Sequence, residues 1–294
     1  MSLERKPNTG ILTSCWILIA SLSTVGVTAC LNILSTKLSF FELLTLRYLA
    51  VTIVAFIFLI TSKVSIFTKH WRIHLLRFVA GMATVCSYTW AAMKMPVCTV
   101  TVLQYTSPIY ISLFLIIVTL KKGENPDFRF LGLVLLAFFG VYLMLNPEIL
   151  PLSTMIIGLL CGFFTSISIL ILKDLGKKGE PIARSVFIYN FMGLVVGLIL
   201  NSIMGDWNFE NYSQFPLLIM FLLTTIAQFS RTQGWGSGNT HLNTIFQYSS
   251  IPFSVILDVL LFSAPLLPTN ALGITIVTVS SFITILLLIH KNKH

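Results

Sequence analysis

Two short stretches place amides, phenol rings, hydroxyls and a proline in the middle of apolar runs: Gln104-Tyr-Thr-Ser-Pro-Ile-Tyr110 and, 143 residues further on, Gln247-Tyr-Ser-Ser-Ile-Pro-Phe253. In the first, Thr101, Gln104, Pro108 and Ser112 fall at helical three-four spacing. In the second, Thr244, Gln247, Ile251, Ser254 and Asp258 do, and eleven residues at 100° each bring Asp258 to within about 20° of Gln247. Unpartnered polar groups are costly in hydrocarbon, so both stripes must face protein or water. Two roles fit such residues. They can join helices to one another, at about 0.6 kcal/mol per contact, or they can line a cavity in which amides, hydroxyls and the Tyr105 and Tyr248 rings hold a solute. Pro108 and Pro252 each remove a backbone hydrogen bond in mid-run, which supplies either a static kink or a free carbonyl and hinge.

Three ionisable residues also lie inside apolar runs: Arg47, Arg231 and Asp258. Each costs roughly 2.5 to 3.5 kcal/mol at a helix centre on insertion scales, so function is the default expectation. At 1.5 Å per residue, Arg47 lies about 9 Å and Asp258 about 6 Å from one membrane face, and Arg231 about 5 Å from the other. Long side chains at such depths can also snorkel. Arg47 and Asp258 share a layer and are expected to form an ion pair or outer gate. His70 and His74 have the spacing of a metal pair, but no cysteine or carboxylate accompanies them in that basic segment, so no metal site is expected.

Such residues require long apolar elements to hold them. Of 294 residues, 56% are hydrophobic and 10% charged, where a soluble enzyme would carry roughly a quarter charged residues. This is the composition of an integral membrane protein. Ten runs of about 20 residues can cross a bilayer as helices: 11–34, 41–61, 75–93, 97–120, 128–145, 153–172, 185–204, 215–234, 242–262 and 271–289. They are continuous rather than alternating, which implies helices and not a barrel. The first run is longer than the apolar region of a signal peptide and is expected to stay. Cys15, Cys30, Cys86, Cys98 and Cys161 are scattered singly and read as small hydrophobes.

Threading the ten runs alternately puts fifteen Lys and Arg residues on the side of the N-terminus and two, Lys37 and Lys94, on the other. The positive-inside rule then places both termini in the cytoplasm. It also accounts for the net charge of +9 as topology, without a nucleic-acid partner. Five crossings per half is an odd number, so the halves 1–150 and 151–294 must run through the membrane in opposite senses. Internal matches agree: Gln104-Tyr105 with Gln247-Tyr248, Pro108 with Pro252 after one inserted residue, and Leu131-Gly132 with Leu272-Gly273. Inverted repeats characterise secondary transporters, whose midplane site between the repeats opens alternately to each side.

The chain resembles the drug/metabolite transporter superfamily in its ten-helix EamA-type branch. Leu46-Arg47-Tyr48 resembles the family's second-helix element. Ala91-Ala92-Met93-Lys94-Met95-Pro96 with Thr106-Ser107-Pro108-Ile109-Tyr110 resembles its third-to-fourth-helix signature, Gly140-Val141-Tyr142-Leu143 its fifth-helix ending, and Arg231 to Phe262 the matching segment of the second copy. The resemblance covers nearly the whole chain. It implies movement of small organic solutes, such as amino acids, S-adenosylmethionine, vitamins or nucleobase-like compounds, through a cavity lined by both repeats.

The residues expected to bind the substrate are Thr101, Gln104, Tyr105, Gln247, Tyr248 and Ser254, with the third-run aromatics Tyr88 and Trp90. Those expected to gate or couple are Arg47, Asp258, Arg231, Pro108 and Pro252. Two departures from the family pattern stand out: Gly123-Glu124 closes the fourth run as usual, but Ser263-Ala264 replaces the second Gly-Glu, and Asp258 replaces a small or apolar residue.

The expected function is secondary transport in the cytoplasmic (inner) membrane, with a small-molecule substrate, the lipid bilayer as surroundings, and no cofactor or metal. A homodimer is compatible with this reading. An integral membrane enzyme acting on lipid-linked substrates would need an interfacial cluster of acids or histidines, and the ten acidic residues are dispersed. A channel or sensor could use the same polar stripe, but the twin prolines in an inverted repeat favour alternating access. The aromatics, amides and hydroxyls favour a planar or zwitterionic metabolite over a sugar phosphate, which would want more buried basic residues.

Overall fold

The computed structural model describes residues 12–94, 100, 103–145, 152–204, 207, 210, 212, 215–252, 259–260 and 267–291. Within them lie ten α-helices and no strand: α1 (Trp16–Leu34), α2 (Phe40–Thr61), α3 (Trp71–Lys94), α4 (Ser107–Lys121), α5 (Phe128–Leu145), α6 (Leu152–Lys177), α7 (Ile182–Met204), α8 (Phe215–Ser237), α9 (Thr240–Phe246) and α10 (Pro268–Lys291). Each expected run overlaps one of them. Among the described residues, five helical stretches are long and apolar enough to cross a membrane on length and composition: 12–34, 40–61, 156–177, 182–203 and 215–237.

Local chemistry fixes several ends. Ser39 and Glu42 form a reciprocal capping box at the start of α2, satisfying two amides that would otherwise lack partners. Asn239 caps α9 by accepting from the amides of His241 and Leu242. Gly123 follows α4 in the left-handed region at φ 75°, the conformation that commonly ends a helix and that glycine adopts without a Cβ penalty.

The helices pair across the two halves of the chain. The most extensive contacts join α1 to α8, α3 to α6, α2 to α7 and α5 to α10. Apolar side chains divide accordingly. Ile53, Phe56, Ile57 and Ile60 on α2, and Leu76 and Val79 on α3, point outward as lipid-facing residues would, whereas Val51, Ala55 and Leu59 are buried with Val186 and Phe187 of α7. Small residues let the pairs approach. Gly140 of α5 faces Ile276 and the backbone of Gly273 on α10, and Gly26 of α1 faces Leu223 on α8.

The two repeated stretches occupy helix breaks. Gln104 ends a short helical piece, Tyr105 and Thr106 form a turn, and α4 starts at Ser107. Gln247, Tyr248 and Ser249 form a 3-10 turn directly after the short α9. Pro108 therefore does not kink the middle of a helix as the run length suggested. It sits in the first turn of α4, where the missing amide costs nothing because no partner for it exists. Pro252 follows the 3-10 turn.

Candidate central solute site

Four helices carry polar stripes to the middle of the bundle. Arg77, Gly81, Thr84 and Tyr88 recur along α3 at the spacing of one helix face, and so do Thr224, Gln228, Arg231 and Trp235 along α8. Arg47 and Tyr48 project from α2, and Tyr189 and Asn190 from α7. Together with Thr165 and Ser168 of α6, these residues other than Tyr88 and Trp235 line a cavity of about 80 Å³. It continues into a space of about 40 Å³ beside Thr24, Tyr88 and Gln104, and into a narrow one of about 10 Å³ beside Ser21, Gln104, Tyr105 and Gln247. Thr165, Gln104 and Arg231 recur in the linings, so the three spaces adjoin.

Both expected helix arginines turn inward rather than toward a membrane surface. Arg47 donates from Nη1 to Thr89 Oγ1 at 2.7 Å and lies 5.4 Å from the Tyr88 ring centroid. Arg231 donates from Nη2 to Thr24 Oγ1 at 2.8 Å. A third arginine joins them. Arg77, expected as one of the surface charges that set topology, is 3% exposed. It donates to the Ser185 carbonyl at 3.0 Å and lies 5.0 Å from the Tyr189 centroid. Arg231 is near enough to repel both Arg47 and Arg77. No Asp or Glu lines the cavity among the described residues. Like charges gathered in a water-poor cavity repel one another, and an anion among them would relieve that repulsion.

The repeated stretches meet each other. Gln247 Nε2 donates to Ser107 Oγ at 3.1 Å, and the Tyr105 and Tyr248 rings pack at 6.1 Å between centroids. The copies thus serve both roles open to them in the sequence. Gln104, Tyr105 and Gln247 reach the cavity wall, while Tyr248 is fully buried among Val134, Val141, Ile251 and Val277 and joins helices. Tyr88 lines the cavity and bonds through its hydroxyl to Thr28. Trp90, expected beside it, packs instead against an apolar cluster containing Leu34, Leu38 and Leu43. Ser112 faces a separate cavity near the α4–α5 connection, and Thr244 bonds to the Thr240 carbonyl. Thr101, Ser254 and Asp258 lie outside the described residues, and with them the expected Arg47–Asp258 pair.

Two glycines make room for the cavity's aromatic wall. A Cβ on Gly193 would stand 2.4 Å from the Tyr48 ring, and one on Gly81 would stand 2.3 Å from the Tyr189 ring. The rings themselves contact edge to face at 6.1 Å. Gly193→Val is therefore expected to destabilise the protein by about 1 to 3 kcal/mol through overpacking, read as a lower melting midpoint in detergent. An unchanged midpoint would show that Tyr48 can leave its place freely.

Contacts between the halves close both ends of the bundle. At one end, Tyr212 donates to Glu42 Oε1 at 3.2 Å. Burial, then the neighbouring Glu42 carboxylate, pushes the Tyr212 hydroxyl up to about 12. At the other, Glu180 Oε1 accepts from His74 Nε2 at 3.1 Å and from Arg184 Nη1 at 3.2 Å, while Arg184 Nε donates to the Ser65 carbonyl at 2.6 Å. His74 is thus engaged with a carboxylate of the second half and is not poised beside His70 for a metal.

Comparison with known proteins agrees with this architecture. Residues 11–146 match the model of the EamA-like transporter family. A curated human protein, solute carrier family 35 member G1, is 27% identical over 169 residues, a stretch covering 52% of this chain and 45% of that protein. These matches support a place for the chain in the drug/metabolite transporter superfamily. The chain spans less than half the length of the human relative that it matches. A solved crystal structure superposes with a TM-score of 0.77 over 95% of this chain and 99% of its own, at 15% identity, which shows a shared fold. The transporter-family match and the apolar helices together support an integral, multi-pass membrane protein.

Several cavity residues were not read from the sequence as site residues: Arg77, Thr84, Thr165, Tyr189, Asn190, Thr224 and Gln228. The signal that could have found them is the polar i, i+4, i+7, i+11 stripe that α3 and α8 share. Both helices are the third of their half.

Proposed function

We propose that the protein is a secondary transporter that carries a small organic metabolite across the cytoplasmic membrane by alternating access. The observation that carries this reading is a polar cavity lined by helices of both halves. The halves 1–150 and 151–294 act as inverted repeats with both termini in the cytoplasm. Exchanging each helix for its counterpart five places on turns the α1–α8 contact into α6–α3 and maps α2–α7 and α5–α10 onto themselves, and this pairing supports a pseudo-two-fold relation. The strongly one-sided distribution of Lys and Arg supports the orientation. The human relative's name, solute carrier, supports transport over catalysis.

The ion and hydrogen-bond contacts at the two ends then act as gates. The Glu180 cluster, beside a space of about 230 Å³ lined by Gly176, Glu180 and Ser185, closes the cytoplasmic side, and Glu42 with Tyr212 closes the outer side. Alternating access requires one set to part while the other holds. Counterflow in proteoliposomes checks this reading: a trapped unlabelled solute drives transient, saturable accumulation of its labelled form. Amino acids, S-adenosylmethionine, riboflavin, nucleosides and small organic acids make the panel. Flux that never saturates would show a channel, and absence of flux across the panel would remove the carrier reading.

A further inference from the structure

We propose that the central cavity is an anion site, and that the transported solute presents a carboxylate or phosphate group to Arg47, Arg77 and Arg231. This rests on the carrier reading only for the word transported; the site itself is argued from its charges. Three guanidinium groups from α2, α3 and α8 line one cavity. Among the described residues, each is held by neutral partners: a threonine hydroxyl for Arg47, a threonine hydroxyl for Arg231 and a backbone carbonyl for Arg77. Those partners fix the positions of the charges without neutralising them. A purely structural arginine in a membrane protein takes a carboxylate or several carbonyls, and none of the described lining residues is acidic.

Free hydrogen-bonding capacity remains in the wall. Arg47 Nε, Thr224 Oγ1 and Gln247 Oε1 are buried and have no partner among the described residues, and all three side chains line the adjoining spaces. The planar fork of a guanidinium matches an oxyanion bidentately. The tyrosines supply the rest of the pocket: Tyr88 and Tyr189 stack against two of the arginines and offer an apolar wall to a short carbon skeleton. At about 80 Å³, the cavity is smaller than the 300 to 1,000 Å³ of drug-sized pockets. A small organic acid or inorganic phosphate suits it better than a nucleotide.

The test is ligand-dependent thermal stability of the full chain in detergent, with pyruvate, succinate, glutamate and inorganic phosphate set against the uncharged succinamide and the cationic putrescine. At least one anion raises the wild-type midpoint in a saturable way, and the neutral and cationic probes do not. Arg77→Gln and Arg231→Gln each weaken that anion's apparent affinity at least tenfold, while their ligand-free midpoints stay level or rise because charge repulsion is relieved. Preference for carboxylates or for phosphate among the probes separates the two anion sources.

Arg47→Lys keeps the charge but loses the Nε donor and is expected to weaken affinity several-fold, which keeps the test informative should a glutamine variant fail to fold. Equal stabilisation by succinamide, or unchanged affinity in the arginine variants, overturns the proposal. Arginine variants whose ligand-free midpoints collapse, together with an Arg47→Lys variant of wild-type affinity, also overturn it, by showing structural arginines. Saturable counterflow of a neutral or cationic solute without anion stabilisation would leave the carrier standing and remove the anion site. Anion stabilisation without counterflow would do the reverse.

Discussion

Glu180→Gln is expected to lower the melting midpoint at pH 7 and to flatten its dependence on pH below about 5. Glu180 lies in the connection between α6 and α7 and is 5% exposed in its side chain. Burial alone would raise its carboxyl, but hydrogen bonds from Thr68, His74 and Arg184, with the Arg184 charge, outweigh burial and hold it below the usual carboxylate range. A carboxylate accepts only, so His74 presents Nε2–H to it. A depressed carboxylate contributes stability above its unfolded value, near pH 4 to 5, and loses that stability as pH falls through the folded value. The wild-type midpoint should therefore drop as acid protonates Glu180.

In the glutamine variant that component is already missing at pH 7. Removing one partner of a buried ion pair costs about 3 kcal/mol when the other charge stays buried. Arg184 is 16% exposed and can reach water, so about 1 to 3 kcal/mol is the expected loss. Melting curves of both proteins from pH 7 to 3 decide the matter. Parallel curves would mean that Glu180 is not the group that titrates. His74→Ala should lose part of the same stability, because it removes one of the bonds that tie α3 to the second half.

The same cluster shows what the sequence could and could not disclose. The run that became α5 has the limits that apolarity alone assigned, 128–145, because Pro126 and Asp127 break the chain before it and apolar residues fill it. The ten helices were legible for the same reason: hydropathy over 20 residues is a large, additive signal. Hydropathy averages over a turn, however, so it ran straight through the breaks at Gln104-Tyr105 and Gln247–Ser249 and left both prolines in supposed mid-helix.

Arg77 was hidden by a different effect. It begins the expected third crossing after two histidines and Arg72, and in one dimension it is one more basic residue near a membrane face. Only the position of α7, which brings the Ser185 carbonyl and the Tyr189 ring to it, makes it a cavity residue. Contacts between halves depend on a fold that no local pattern encodes. The repeated Gln-Tyr stretches were legible as special because polarity in an apolar run is itself a local anomaly. Their partners, each other, are 140 residues apart in the Gln247–Ser107 bond.

Gly176→Ala and Gly236→Ala are expected to have opposite effects, although the two glycines face each other across the contact of α6 with α8. A Cβ built on Gly176 would stand 2.1 Å from the Gly236 carbonyl oxygen and 2.6 Å from its carbonyl carbon and Cα. These are backbone atoms, which cannot rotate aside, so the helices would have to separate. The Lys173–Thr240 contact next to them ties α6 to the start of α9 and would be strained with them. Overpacking against rigid backbone places the cost of Gly176→Ala at about 3 kcal/mol or more.

A Cβ on Gly236 meets only the Gly176 Cα, at 3.9 Å, an ordinary contact. Alanine in a helix is favoured over glycine by up to about 1 kcal/mol, so Gly236→Ala should leave the melting midpoint level or raise it. The asymmetry follows from the direction of each Cα–Cβ bond toward its own helix N-terminus, which aims one glycine at its neighbour and the other past it. Melting of the two single variants side by side measures it. Equal loss in both would mean that the helices meet at a different register. Equal tolerance would mean that they stand further apart.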